Sequence, residues 1–262
     1  MSERLGRILD GQGLPRLVRL EGDRLQPLGG NIFGEYWAVG EMIALSEARI
    51  LAPLLPSKVI GIGSNYKKHI AEMGRTRPTV PKIFLKPNTA VIGNMDAICI
   101  PPETERVDHE AELAVVIGKF TQRVKKEDAL QHILGFTCVN DVTARDFQRV
   151  DGTFSRGKGF DSFCPIGPWI VKTQQDEARQ VRCWVDGELR QDGNTSDMLF
   201  GVAELISFVS HVMTLLPGDI IATGTPSGVG PIVDGQTVSV EVEGIGRLDN
   251  PVVNREDRCS LA

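Results

Sequence analysis

The sequence predicts a mixed, mainly β fold with short helices, and three features carry that expectation. Residues 108–118 and 133–141 are mostly apolar runs of strand length, in which successive side chains point to opposite faces. Glu21-Gly22-Asp23 and Asp186-Gly187 each lie between strand-like segments as hairpin turns. Helical periodicity is confined to short stretches and to one amphipathic run, residues 200–215, where Val202, Leu205, Ile206, Val209, Val212 and Met213 lie on or near one stripe.

In chain order, residues 16–20 and 25–28 flank the first turn as a hairpin, and residues 42–51 read as a short helix stopped by Pro53 and Pro56. Residues 1–55 are thus expected to form a small N-terminal unit that packs on or covers the larger domain, residues 56–262. Residues 58–63 are a short strand, and Ser64-Asn65 is placed to N-cap a helix over 66–73. Gly61-x-Gly63 does not grow into a dinucleotide fingerprint, because Tyr66 stands where the third glycine is needed. Residues 74–81 are a polar, proline-bearing loop, and helix plus loop would make a lid. Residues 83–87 bring Lys86 to the end of an apolar strand, as a ligand contact or as a strand-edge charge. After Asp141, residues 142–148 are expected to be a short helix and 155–161 a loop. Residues 165–172, 179–185, 188–191, 220–223 and 237–242 complete the strands.

A net charge of -5 over 262 residues leaves no basic footprint, so nucleic acid and anionic membrane surfaces are not expected partners. No stretch approaches membrane-spanning length, and a cytoplasmic enzyme of small metabolites fits best. Five cysteines without a Cys-x-x-Cys pair argue against a disulfide framework and against a zinc site; most read as buried thiols.

The chemistry begins at Asp108, Glu110 and Glu112, which a strand reading puts on one face leading into Ala114 and Val116. Half-buried carboxylates are costly unless neutralised, and a hard divalent cation would do that; the alternative is the solvated end of an edge strand. A second apolar strand ends in Asn140-Asp141, so two strands could together supply three oxygen ligands and leave room for substrate. His69 and Glu72, three apart on a helix, let a carboxylate orient an imidazole, although a surface ion pair is the commoner outcome of that spacing. Arg145 and Gln148 share the same spacing. Lys158, between Gly157 and Gly159, is free to approach an anion but lacks the rest of a phosphate-binding loop. The turn over 224–230 offers backbone amides and the Thr225 hydroxyl to a carboxylate, or is an ordinary glycine-rich connector.

Six stretches in order resemble the fumarylacetoacetate hydrolase family, covering about residues 58–242. They are Gly63-Ser64-Asn65-Tyr66-Lys67-Lys68-His69-Ile70-Ala71-Glu72, Phe84-Leu85-Lys86-Pro87, His109-Glu110-Ala111-Glu112-Leu113, Asn140-Asp141-Val142-Thr143-Ala144-Arg145-Asp146, Gly157-Lys158-Gly159-Phe160-Asp161 and Thr223-Gly224-Thr225-Pro226-Ser227-Gly228-Val229-Gly230. The resemblance implies a β-roll like the family's C-terminal domain, a homodimer and a metal-dependent catalytic domain over 56–262. It also implies Glu110, Glu112 and Asp141 as ligands of Mg2+ or Mn2+, His69 and Glu72 as a proton-transfer pair, and Lys158 beside the metal. Arg145, Gln148, Thr225 and Lys86 become substrate contacts. The short N-terminal segment departs from longer members, which carry a full barrel domain there, and points away from fumarylacetoacetate itself. The implied substrate is a 2-oxo or 2,4-dioxo acid reacting through an enolate. Hydrolysis of an acylpyruvate-type carbon-carbon bond is the first expectation; isomerisation of a 2-hydroxyhepta-2,4-diene-1,7-dioate type or decarboxylation of oxaloacetate is the alternative. A non-catalytic metal or small-ligand binder is the remaining class, and it needs neither His69 nor Lys158.

Overall fold

The computed structural model describes residues 2–255. Its elements are organised by a thirteen-stranded sheet whose centre is the antiparallel trio Cys164–Lys172, Ile133–Asn140 and Ala111–Ile117. Ile220–Ala222, Val59–Gly63 and Lys82–Lys86 continue it to one edge. On the other side Cys164–Lys172 pairs with Arg4–Leu9, followed by Pro15–Glu21, Arg24–Gly30 and Tyr36–Ala38. The N-terminal hairpin therefore lies in the same sheet as the acid-bearing strands. A five-stranded sheet (Ile98–Ile100, Gly246–Asn254, Thr237–Val242, Gln180–Val185, Glu188–Asn194) and a three-stranded one (Thr143–Ala144, Val107–His109, Gly230–Ile232) complete the fold, which is mainly β with short helices.

Ala111–Ile117 is buried along its whole length, as its two apolar faces require. Leu113, Val115 and Ile117 enter one core cluster, and Ala114 and Val116 enter a second on the opposite face of the sheet. Each fully buried branched side chain contributes about 1.5–3 kcal/mol, so this strand cannot slip register without inverting both cores. That rigidity fixes Glu112, which continues the Ala114 and Val116 face.

Four local expectations are corrected. Residues 42–51 form no α-helix: Ile43–Ala44 pairs with Arg24–Gly30, a 3-10 turn spans Leu45–Glu47, and Arg49–Leu51 pairs with Arg4–Leu9. Their backbone groups are satisfied by the ladder, and tertiary pairing overrides a weak local preference. Residues 108–118 are not one strand, because the chain leaves the three-stranded sheet after His109 and joins the large sheet at Ala111. Ser64-Asn65 does not cap the helix Lys67–Glu72, whose N-cap is Tyr66 without a side-chain cap. Asn65 instead donates to Phe200 O (3.1 Å) and Thr223 O (2.8 Å) and accepts from Phe200 N (2.9 Å). Residues 155–161 are not wholly a loop, since Ser155–Lys158 is a helical turn.

The amphipathic run folds as Val202–Val212 with Leu205, Ile206 and Val209 buried. Cys138, Cys164 and Cys183 are buried free thiols, and Cys259 lies outside the described residues. No helix among the described residues is long and apolar enough to cross a membrane.

Candidate active site

Antiparallel pairing brings the two acidic motifs together. Ala111 stands opposite Asn140, so the ends of the two strands meet, and the Asp141 amide donates to the Glu110 carbonyl (2.9 Å). Asn140 Oδ1 accepts from the Glu110 amide (2.9 Å), replacing the ladder bond lost at the break. Glu110, Glu112 and Asp141 are all buried, with one ligand atom of each lying within 4.8 Å of the others. Asp108 turns away, its carboxylate paired with Arg106 (2.8 Å) and Arg145 (2.7 Å).

The trio is unevenly neutralised. Lys158 Nζ is 2.8 Å from Glu110 Oε2 and also bonds Asp141, Arg145 bonds Glu110, and Lys86 Nζ is 2.6 Å from the other Asp141 oxygen. Burial raises the Glu110 carboxyl's affinity for a proton, but Lys158 and Arg145 outweigh it and hold Glu110 well below the usual carboxylate range. Burial likewise disfavours the Lys158 ammonium, yet Asp141 and Glu110 keep it charged, with its pKa raised. Glu112 has no ion pair among the described residues and accepts only the Gly224 amide (2.7 Å). Burial, and then repulsion from Asp141 and Glu110, push its carboxyl well above the ordinary value. Three hard oxygen donors converge, one of them lacking a positive partner, and this donor set fits a hard divalent cation.

Around the trio the pocket is bordered by His69, Arg145, Gln148, Lys158 and Thr225, so most of the expected residues come together. His69 is 7 % exposed, its Nδ1 3.4 Å from Glu72 Oε2. Burial lowers its pKa, only partly offset by Glu110 and Glu72, so the imidazole is neutral near pH 7. Glu72 also accepts from the Gly228 amide (3.1 Å), so the glycine-rich turn does hold carboxylates, those of Glu72 and Glu112. Gly224 has φ +97°, and a Cβ there would stand 2.9 Å from Asn65 Cβ; glycine is needed for the amide to reach Glu112.

Two expected substrate contacts are placed differently. Lys86 is fully buried behind Asp141, donating to it and to Val142 O (3.2 Å), and does not border the pocket. Thr225 borders the pocket, but its hydroxyl donates to Ala111 O (2.9 Å) and accepts from Gln191 (2.8 Å). Arg145 is committed to Asp108, Glu110 and, through Nη1, Gln148 Oε1 (2.9 Å). Sequence reasoning missed Arg75, Phe84 and Phe154 at the pocket. Phe84 and Phe154 stack at 4.8 Å between centroids, with Lys158 Nζ 4.9 Å from the Phe84 ring. Arg75 lies in the expected lid loop and, among the described residues, makes no ion pair; that loop was the signal that could have found it.

Known proteins share this architecture. Residues 58–253 match the family model described as fumarylacetoacetate (FAA) hydrolase C-terminal, and the chain belongs to the fumarylacetoacetate hydrolase family. Its fold is that family's C-terminal-domain fold, and residues 3–53 match a second model, Rv2993c-like, N-terminal. Among individual proteins, Protein Rv2993c of Mycobacterium tuberculosis is 45% identical over 262 residues, covering 96% of this chain and 98% of its own. The oxaloacetate tautomerase YisK of Bacillus subtilis is 45% identical over 226 residues, 80% of this chain and 75% of its own. The crystal structure of 5-carboxymethyl-2-hydroxymuconate delta-isomerase from Mycobacterium smegmatis superposes with a TM-score of 0.89 at 48% identity, covering 96% of this chain and 99% of that one.

Proposed function

We propose that the protein is a Mg2+- or Mn2+-dependent tautomerase or isomerase of 2-oxo acids, moving a proton on and off the carbon next to the oxo group. The observation that carries this is His69, a buried and neutral imidazole bordering the same pocket as the three carboxylates. Glu110, Glu112 and Asp141 would hold the cation, which when bound supplies the positive charge that stabilises an enolate. His69 Nε2 is the base, since Nδ1 faces Glu72, and Glu72 steadies the imidazolium after the proton has moved. Lys158 offers an ammonium to negative charge developing on the substrate oxygen. Arg75, the bordering guanidinium without an ion pair among the described residues, is placed to receive a second carboxylate. Relatives named for oxaloacetate and for a hydroxymuconate support a substrate of this kind.

Hydrolysis of an acylpyruvate-type carbon-carbon bond is the second reading. A solved relative named maleylpyruvate hydrolase supports it, and the Lys158 ammonium serves it equally, because a tetrahedral oxyanion also needs a fixed positive neighbour. A non-catalytic metal binder accounts for neither His69 nor Lys158. The test is purified protein with magnesium against enol-oxaloacetate, 2-hydroxyhepta-2,4-diene-1,7-dioate, acetylpyruvate and fumarylpyruvate, with products separated. Accelerated tautomer or double-bond conversion is expected. Cleavage products alone would transfer the assignment to the hydrolase, and inertness toward all four would remove the enzyme reading.

A further inference from the structure

We propose that Gln191 is the positioning residue that aligns the carboxylate trio with the glycine-rich turn, through one side-chain amide. The inference rests on the metal site proposed above. Gln191 lies on Glu188–Asn194, an edge strand of the five-stranded sheet, and is completely buried. Its Oε1 accepts from the Ala111 amide (3.0 Å) and faces His109 Nδ1 (3.0 Å). Its Nε2 donates to Thr225 Oγ1 (2.8 Å) and Pro226 O (2.9 Å). A carboxamide has two acceptor sites and two N–H groups, and here all four are used. The Ala111 amide can only donate and the Pro226 carbonyl can only accept, so the orientation of the Gln191 amide is fixed. It follows that His109 carries its proton on Nδ1.

These four bonds cross a break in the ladders, between His109, which pairs with Gly230, and Ala111, which pairs with Asn140. Glu110 occupies the break between Val107–His109 and Ala111–Ile117, and Gln191 grips the residues on either side of it. The other end of the same amide holds residues 225 and 226, next to the Gly224 amide that bonds Glu112 and near the Gly228 amide that bonds Glu72. Thr225 already bonds Ala111 O (2.9 Å) and Thr223 bonds Leu113 O (2.9 Å), and Gln191 adds a link that joins the turn to both residues flanking Glu110. Groups hydrogen-bonded to a metal ligand typically change metal affinity about 10–100-fold when removed, and Gln191, which holds the backbone on both sides of Glu110, is expected to act on the same scale.

The experiment compares magnesium affinity of the full-length apoprotein by calorimetry for wild type, Gln191→Leu and a core control, Val240→Ala, in the same sheet. Gln191→Leu is expected to bind magnesium about 10–100-fold more weakly, while Val240→Ala lowers the melting temperature and leaves affinity unchanged. Equal affinity in wild type and Gln191→Leu would overturn the inference alone, as would an equal loss in Val240→Ala. Absence of magnesium binding in wild type would overturn the metal reading and the inference together. Gln191→Glu covers the case in which the leucine variant does not fold. Glutamate has at most one proton to donate where two are needed, so amide exchange at residues 224–228 should speed up while Ala111 stays protected. Unchanged exchange at 224–228 counts against the positioning role.

Discussion

Lys158 Nζ lies 2.8 Å from Glu110 Oε2, and both side chains are almost wholly buried. The ammonium also bonds Asp141, so it stands between two of the three carboxylates proposed to hold a cation. Without a cation it is their counter-ion; with one, it competes for the same oxygens. Lys158→Met is therefore expected to lower the melting temperature of the metal-free protein, because it removes the counter-ion shared by two buried carboxylates and leaves Glu110 to Arg145 and Asp141 to Lys86 alone. Added magnesium should then raise the melting temperature by more than it does in wild type. A magnesium-induced shift no larger than that of wild type, read by thermal denaturation, would contradict this competition.

The ligand assignment predicts that Glu110→Gln, Glu112→Gln and Asp141→Asn each weaken magnesium binding by more than the roughly 10–100-fold typical of outer contacts. Calorimetric titration decides it, with circular dichroism to confirm folding. Wild-type affinity in any one variant removes that residue from the ligand set.

His69 predicts a pH signature. Burial lowers its pKa below the ordinary 6.5, so the base stays deprotonated, and kcat/KM holds, until pH falls below that value. Glu72 favours the imidazolium, so Glu72→Gln should move the acid limb of the profile further to low pH and reduce kcat. His69→Ala should cost about 10²–10⁴ in turnover with little change in magnesium affinity. An acid limb displaced to higher pH in Glu72→Gln would show that the limb belongs to another group.

Lys86 and Asp141 are a fully buried pair at 2.6 Å. Breaking such a pair from one side costs about 3–5 kcal/mol when the remaining charge has no other partner; Asp141 keeps Lys158, so Lys86→Met should lose less than that in urea denaturation but more than the roughly 1 kcal/mol of an exposed pair. Magnesium should restore part of it by supplying Asp141 with another positive partner. A loss below about 1 kcal/mol, the range of exposed pairs, would mean that Lys158 alone suffices to neutralise Asp141.

Arg75→Met is expected to raise KM for a dicarboxylic 2-oxo acid about 10- to 100-fold, the worth of a hydrogen bond to a charged group, and to leave a monocarboxylic one unaffected. Amide exchange over residues 73–80, exposed except for the half-buried Pro78, should slow with oxalate and magnesium if this segment closes over the site. Equal KM changes for both substrates would place Arg75 outside the substrate's reach.

What the sequence alone determined about this protein is the set of short-range patterns: the apolar strand that ends in Asn140-Asp141, the Arg145 and Gln148 pair, the hairpins at Gly22 and Gly187, and the helix Val202–Val212. Each of these is written in neighbours a few residues apart, through alternation, turn chemistry or helical spacing, and each can be read from a short window of chain. The match of six motifs in order made the family legible as well. Tertiary structure alone decided that residues 43–51 pair into the large sheet rather than coil, and that the 108–118 run breaks at Glu110. It also decided that Lys86 faces Asp141 instead of the pocket, and that Gln191 reaches across from another sheet to residues 80 and 34 positions away. The physical reason is one of range. A buried lysine and a solvated one look the same in sequence, and an amide finds its partners only after two sheets have packed, when every buried donor and acceptor must be matched across the fold.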